Sequence, residues 1–145
     1  MQYTNRFKAE NGARKILVAD NDEDILVALE RILEDDGYVT TTALSGAEVC
    51  LLLSGCRFDL LVLDDYLSDN DSVQLLCECR RAGLALPPTI VTYHRVPSFE
   101  DQARLRALGV KALVNKHAHS ELIGIVQGLL SPYDAPHPDE LESMK

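Results

Sequence analysis

Short apolar runs alternate along this chain with longer stretches in which apolar residues recur at helical spacing. The most telling run lies in FDLLVLDDYLSDNDS, Phe58–Ser72, where Leu60–Leu63 is apolar without a break and stops at Asp64 and Asp65. A run without alternation suits a strand buried on both faces, as in a parallel sheet under helices. Lys15–Asp20 (KILVAD) reads the same way, and Tyr38–Ala43 is Thr-rich and β-prone. Thr89–Thr92 follows Pro87 and Pro88, which stand at a strand entry where no ladder donor is lost, and Lys111–Asn115 is the fifth such run.

The intervening stretches predict helices. Asp22 is placed to cap one whose Ile25, Leu29, Ile32 and Leu33 form a stripe, with Gly37 closing it. Further helices are expected over Ser45–Leu53, Ser72–Ala82, Ser98–Leu108 and Ser120–Leu130, with Gly83 and Gly109 ending the second and third of these. Val73, Leu76 and Cys79 share one face of the Ser72 helix, and Leu122, Ile125, Val126 and Leu129 are expected to be buried from the last. Five strands alternating with five helices on short connections predict an α/β fold, a doubly wound parallel sheet covered on both faces, with right-handed crossovers. Residues 1–14 are polar and aperiodic and read as a flexible extension. Residues 15–131 read as one domain. Residues 132–145, with three prolines and several acids, read as a tail or linker.

Charge narrows the partners. A net charge of −9 over 145 residues disfavours direct binding to nucleic acid or an anionic membrane, both of which select basic patches. No apolar stretch approaches the roughly 20 residues of a membrane span, and MQYTNRFKAENG lacks a secretory apolar region, so a cytoplasmic location is expected. Cys50, Cys56, Cys77 and Cys79 form no disulfide framework, and no CxxC spacing supports zinc with His117 and His119. Packed, reduced thiols are expected.

Ligand sites in parallel sheets lie beyond the carboxyl ends of the strands. There the first strand places Asp20 followed by Asn21 and Asp22, the third Asp64, the fourth Thr92 and the fifth Lys116. Neighbouring strands lie close to 5 Å apart, so acids ending adjacent strands can share one hard cation. Oxygen donors with open positions suit Mg²⁺, which also binds phosphate oxygens. A lysine supplies a point charge for a phosphoryl group and a hydroxyl can donate to one of its oxygens. The set describes a phosphoryl-transfer site, where positioning and charge neutralisation do most of the catalysis.

KILVADNDEDI, FDLLVLDDYLSDNDS, PTIVTYH and GVKALVNKH together resemble the receiver domain of bacterial two-component response regulators, over about Lys15–Leu130. The resemblance implies a flavodoxin-like sheet of order 2-1-3-4-5. It makes Asp64 the nucleophile, forming an aspartyl phosphate from a sensor histidine kinase, a phosphotransfer protein or a small phosphodonor. Lys116 would pair with the phosphate and Thr92 would hydrogen-bond it. Asp20 and Asn21 match the pair that holds Mg²⁺, and Tyr66 the position whose backbone carbonyl completes the coordination. Conventional turnover is not expected, only self-phosphorylation and slow autodephosphorylation. The output implied is a change in a protein-interaction face read by a downstream effector protein or domain, and homodimerisation through the fifth helix is an analogy with the family.

This chain also departs from the family. Asn21 stands where a second acid is usual, which predicts weaker Mg²⁺ affinity, with Asp22 expected to serve as helix cap instead. Ser68 and Ser72 occupy positions where the family often has Pro and Gly. His117 follows Lys116 where a cis-proline is usual, so a trans peptide is expected, a non-proline cis bond costing about 2.5–4 kcal/mol. Leu113 stands at the family's aromatic switch position, and Tyr66 is placed to hinder water at an acyl phosphate. These departures also suit a phosphorylation-independent interaction module. A haloacid-dehalogenase-type phosphatase is the rival: Asp20-Asn21-Asp22 resembles its DxD motif and Asp64-Asp65 its distal acidic pair. Its Thr or Ser and its Lys, however, precede that pair, whereas Thr92 and Lys116 follow it here. A calcium loop starting at Asp20 fails on register, with Ile25 at the sixth position and Arg31 at the twelfth.

Overall fold

The computed structural model describes residues 12–130. The tail expected over 132–145, and residues 1–11 of the expected extension, lie outside the described residues. The end of that extension is built into the fold. Ala13 is buried, and the Arg14 carbonyl accepts the Val39 N–H at 2.9 Å while its guanidinium pairs with Asp59 at 3.6 Å.

The elements run β1 (Lys15–Ala19), α1 (Glu23–Asp35), β2 (Val39–Ala43), α2 (Gly46–Gly55), β3 (Leu60–Asp64), α3 (Ser72–Arg81), β4 (Thr89–Tyr93), α4 (Phe99–Ala107), β5 (Val110–Asn115) and α5 (His119–Leu129). A small antiparallel ribbon, Tyr66–Leu67 against Asn70–Asp71, is inserted between β3 and α3. The five principal strands form one parallel sheet in the order β2-β1-β3-β4-β5, as the resemblance implied.

β3 is central, and every residue of it is buried. Its alternate side chains feed opposite layers. Leu61 and Leu63 enter a core with Leu17, Val91, Leu75, Leu76 and Leu105, which places α2, α3 and α4 on that face. Leu60 and Val62 enter the other core with Ile16, Val18, Leu29, Leu33, Leu122 and Val126, from α1 and α5. Burial of each such side chain is worth roughly 1.5–3 kcal/mol. This two-sided burial explains why the strand shows no polar alternation.

The helices start where side-chain acceptors stand. Asp22 accepts from Asp24 N–H at 2.9 Å, Ser45 from Glu48 N–H at 3.2 Å, Asp71 from Gln74 N–H at 2.8 Å and Ser98 from Asp101 N–H at 3.1 Å. Gly37, with φ 100°, takes the left-handed turn that ends α1.

Three expected stripes are shifted. The buried face of α1 is Leu26, Leu29 and Leu33, with Ile25 half-buried at its margin. Both stripes are legitimate helical faces, and the sheet contact selects between them. In α3, Leu75 joins Leu76 and Cys79 in the core while Val73 is half-buried, because α3 is packed between its neighbours as well as on the sheet. In α5, Leu122 and Val126 are buried but Leu129, at the last turn of the helix, is 39% exposed. Among the described residues no helix is long and apolar enough to cross a membrane.

Candidate functional site

The parallel sheet brings the carboxyl ends of β1, β3, β4 and β5 to one edge. In the register of β3 with β4, Asp64 lies opposite Thr92. Both are nearly inaccessible, Asp64 at 4% exposure and Thr92 at 2%, and Asp20 beyond β1 is at 1%. A cleft of about 270 Å³ opens above them, lined by Asn21, Asp64, Asp65, Tyr66, His94, Arg95 and Lys116. Of the residues expected at the site, Asn21, Asp64, Tyr66 and Lys116 thus line one cleft, while Asp20 and Thr92 are buried at the same edge.

Lys116 joins the carboxylates. Its Nζ lies 3.4 Å from Asp20 Oδ2 and 3.4 Å from Asp64 Oδ2. The backbone directs it there. The Lys116 N–H donates to the Tyr93 carbonyl at 2.9 Å, and Asn115 Oδ1 accepts the His117 N–H at 2.9 Å, shaping the turn into α5. No described peptide is cis, so the Lys116–His117 bond is trans, as expected. His94 and His117 meet edge to face across the two loops at this end, with ring centroids 6.1 Å apart.

Burial pushes the Asp64 carboxyl up to about 6. The negative charge of Asp20 adds to that rise, and the Lys116 ammonium opposes it. Asp20 Oδ1 accepts the Asp22 N–H at 2.9 Å, whereas its buried Oδ2 has no hydrogen-bond partner beyond the ion pair with Lys116. Asp22 is occupied as the α1 cap, as expected from the sequence.

The segment after Asp64 is closed at its base. The Asp65 N–H donates to the Thr92 carbonyl at 2.7 Å, and the Asp65 carbonyl accepts the Ser72 N–H at 2.8 Å. Ser72 Oγ donates to Asp65 Oδ1 at 2.6 Å. Burial raises the Asp65 carboxyl, the Ser72 bond lowers it, and Asp101 and Asp71 raise it further. These roles of Asp65, Ser72 and Asn115, and the cleft positions of His94 and Arg95, were not foreseen. Asp65 next to Asp64 was the one visible signal, and the rest depend on which loops meet.

The sequence model of the response regulator receiver domain family matches residues 16–127. The chain belongs to that family. It is similar to the transcriptional regulatory protein PrrA of Mycobacterium leprae, at 32% identity over 117 residues, 80% of this chain and 49% of PrrA. The chain spans about half the length of the PrrA relatives and less of other curated relatives, 22% of the transcriptional regulatory protein GlrR of Escherichia coli. Among solved structures it is similar to the Francisella response regulator 1452 receiver domain, with 28% identity and TM-score 0.71 over 80% of this chain and 95% of that one. A CheY-like receiver domain protein from Methanospirillum hungatei gives 25% identity and TM-score 0.71 over 92% and 100%. Family membership and chain order together set aside the haloacid-dehalogenase alternative.

The thiols are free. Cys79 is buried with its Sγ 3.3 Å from that of Cys50, whereas Cys56 is exposed, contrary to the expectation of packed thiols throughout, because it lies just past the end of α2. Among the described residues no group of three or more His, Cys, Asp or Glu side chains is arranged to hold a metal.

Proposed function

We propose that this receiver domain accepts a phosphoryl group on Asp64 and relays it as a change in a protein-interaction surface. One observation carries the reading: a single ammonium, Lys116 Nζ, stands 3.4 Å from two nearly inaccessible carboxylates, Asp64 in the lining of an open cleft and Asp20 buried at the same edge. Two buried carboxylates this close are costly unless a cation serves both. Lys116 supplies one positive charge against two negative ones.

The remaining charge suits a hard divalent cation. Asp20 Oδ2, buried and without a hydrogen-bond partner, and the Asp64 carboxylate are oxygen donors of the kind Mg²⁺ prefers, and two protein carboxylates leave it room to keep waters and take phosphoryl oxygens. Asp20, Asp64, the Asn21 side chain and the Tyr66 carbonyl would hold it. Bound there, Mg²⁺ would neutralise charge developing on the phosphoryl oxygens.

The chain's own residues do the rest. Ionised Asp64 attacks phosphorus. The new bond from Asp64 Oδ to phosphorus forms as the bond from phosphorus to the donor's nitrogen or oxygen breaks, and that electron pair leaves with the donor. Lys116 compensates the charge on the transferred group, and Thr92, opposite Asp64 in register, donates its hydroxyl to a phosphoryl oxygen. The donor is a sensor histidine kinase or phosphotransfer protein and the reader a downstream effector protein or domain, with the receiver in the cytoplasm.

The test is intact-protein mass after incubation with acetyl phosphate and Mg²⁺, beside Asp64→Asn. One phosphoryl group on the parent and none on the variant is expected. No adduct at any Mg²⁺ concentration would favour a receiver fold that binds partners without phosphorylation.

A further inference from the structure

Between Asp64 and α3 the chain makes an excursion whose base is closed by Asp65, Thr92 and Ser72 and whose middle is the ribbon pairing Tyr66 with Asp71 and Leu67 with Asn70. Leu67 is buried in the core shared with Val49 and Leu75, which sets the depth of the ribbon. The tip, Ser68-Asp69, reaches another element. Asp69 Oδ1 accepts the Gly46 N–H at 2.8 Å and Asp69 Oδ2 accepts the Ala47 N–H at 3.1 Å, the first two amides of α2.

These bonds are not needed to cap α2 in the ordinary way. Its own Ser45 already accepts the Glu48 N–H, and Glu48 reaches back toward the Leu44 N–H at 3.4 Å. What Asp69 adds is a two-point, charge-assisted link between the positive end of a helix and the loop that carries Tyr66. The Gly46 N–H holds the Asp69 carboxyl below the usual carboxylate range. Gly46 makes the approach close. A Cβ there would lie 3.2 Å from Asp69 Oδ1 and 3.2 Å from Leu75 Cδ1, so a side chain would make the carboxylate and the leucine give way by a few tenths of an ångström.

We infer that Asp69 is a positioning residue for the phosphoacceptor site: by latching the ribbon tip to α2 it holds the Tyr66 backbone at the edge of the cleft, and it makes the placement of α2 part of the site's geometry. This rests on the proposed phosphorylation of Asp64.

The test compares Asp69→Ala, Gly46→Ala, Asp69→Asn and Ser45→Ala in the full chain. The readouts are thermal stability, Mg²⁺ affinity by calorimetry and the rate of adduct formation with acetyl phosphate. Ser45→Ala removes the local cap without touching the loop and should lower stability while leaving rate and Mg²⁺ affinity as in the parent. Asp69→Ala should lower Mg²⁺ affinity and rate about five- to tenfold, Gly46→Ala should lower both by less, and Asp69→Asn, which keeps an acceptor oxygen, should recover part of both. If Asp69→Ala matches Ser45→Ala in rate and affinity, the latch is a cap only and the inference is wrong. If the parent takes up no phosphoryl group, the reading of the site has failed and the positioning role falls with it.

Discussion

Replacing Asp64 by Asn should stabilise the metal-free protein, although it deletes the proposed nucleophile. Burial and the neighbouring Asp20 raise the Asp64 carboxyl from 3.8 to about 6 even with Lys116 at 3.4 Å. The sign follows directly. Between those two values the folded protein binds the proton that the unfolded chain releases, so stability falls as pH rises through that window. Below 3.8 both states are protonated and the penalty vanishes; above 6 it is complete. At about 1.4 kcal/mol for each pH unit, a rise from 3.8 to about 6 corresponds to at most roughly 3 kcal/mol at neutral pH, and solvent screening in the open cleft reduces it. Asn removes the charge, but Lys116 then keeps only Asp20, so the net gain should be about 1–3 kcal/mol, or ~4–12 °C in Tm for a domain of this size. The assay is thermal and urea unfolding of both proteins in EDTA at pH 3.5, 5 and 8. The gap should be near zero at the lowest pH and widest at the highest. A variant less stable than the parent at pH 8, or a gap independent of pH, would refute the reasoning.

Three other outcomes are expected. Lys116→Met leaves two nearly inaccessible carboxylates facing each other without a cation, so it should cost about 2–4 kcal/mol in EDTA, and saturating Mg²⁺ should restore much of that in urea unfolding. Asn21→Asp adds a carboxylate at the exposed edge of the cleft and should tighten Mg²⁺ by roughly five- to tenfold, about 1 kcal/mol, by calorimetry; unchanged affinity would show that the missing acid does not limit the site. Burial pushes the Cys79 thiol up to about 12, with Cys50 adding to the rise, so under native conditions at pH 8 a thiol-specific disulfide reagent should modify exposed Cys56 first and Cys79 only on unfolding.

The fold was legible because each of its signals is local. Leu60–Leu63 shows two-sided burial in four consecutive residues, and Asp22, Ser45 and Ser98 mark helix starts by their own chemistry. The candidate site's geometry was legible for the same reason: a parallel sheet collects the carboxyl ends of its strands, so Asp20, Asp64, Thr92 and Lys116 could be grouped from strand ends alone. What stayed hidden depends on tertiary placement. Lys116 was expected to face a phosphate; its bridge between Asp20 and Asp64 requires knowing how far its side chain reaches across the sheet. DDYLSDNDS reads as a polar turn, because pairing two residues with two leaves no alternation to detect. Asp69 is separated by 23 residues from the Gly46 amide that it accepts, and only the packing of α2 beside the loop brings them together. The stripe of α1 moved from Ile25 to Leu26 because adjacent positions lie about 100° apart around a helix, either can border the Leu29 and Leu33 face, and the sheet decides.

The central claim is that Asp64, among several acids at this edge, carries the phosphoryl group. The direct test is borohydride reduction of the protein after treatment with acetyl phosphate and Mg²⁺, followed by peptide mapping, since reduction of an aspartyl phosphate converts that residue to homoserine. Homoserine at position 64, with none at 20, 65 or 69, is the predicted result. A reduced residue at any other position, or none in a protein that has gained a phosphoryl group, would contradict the account.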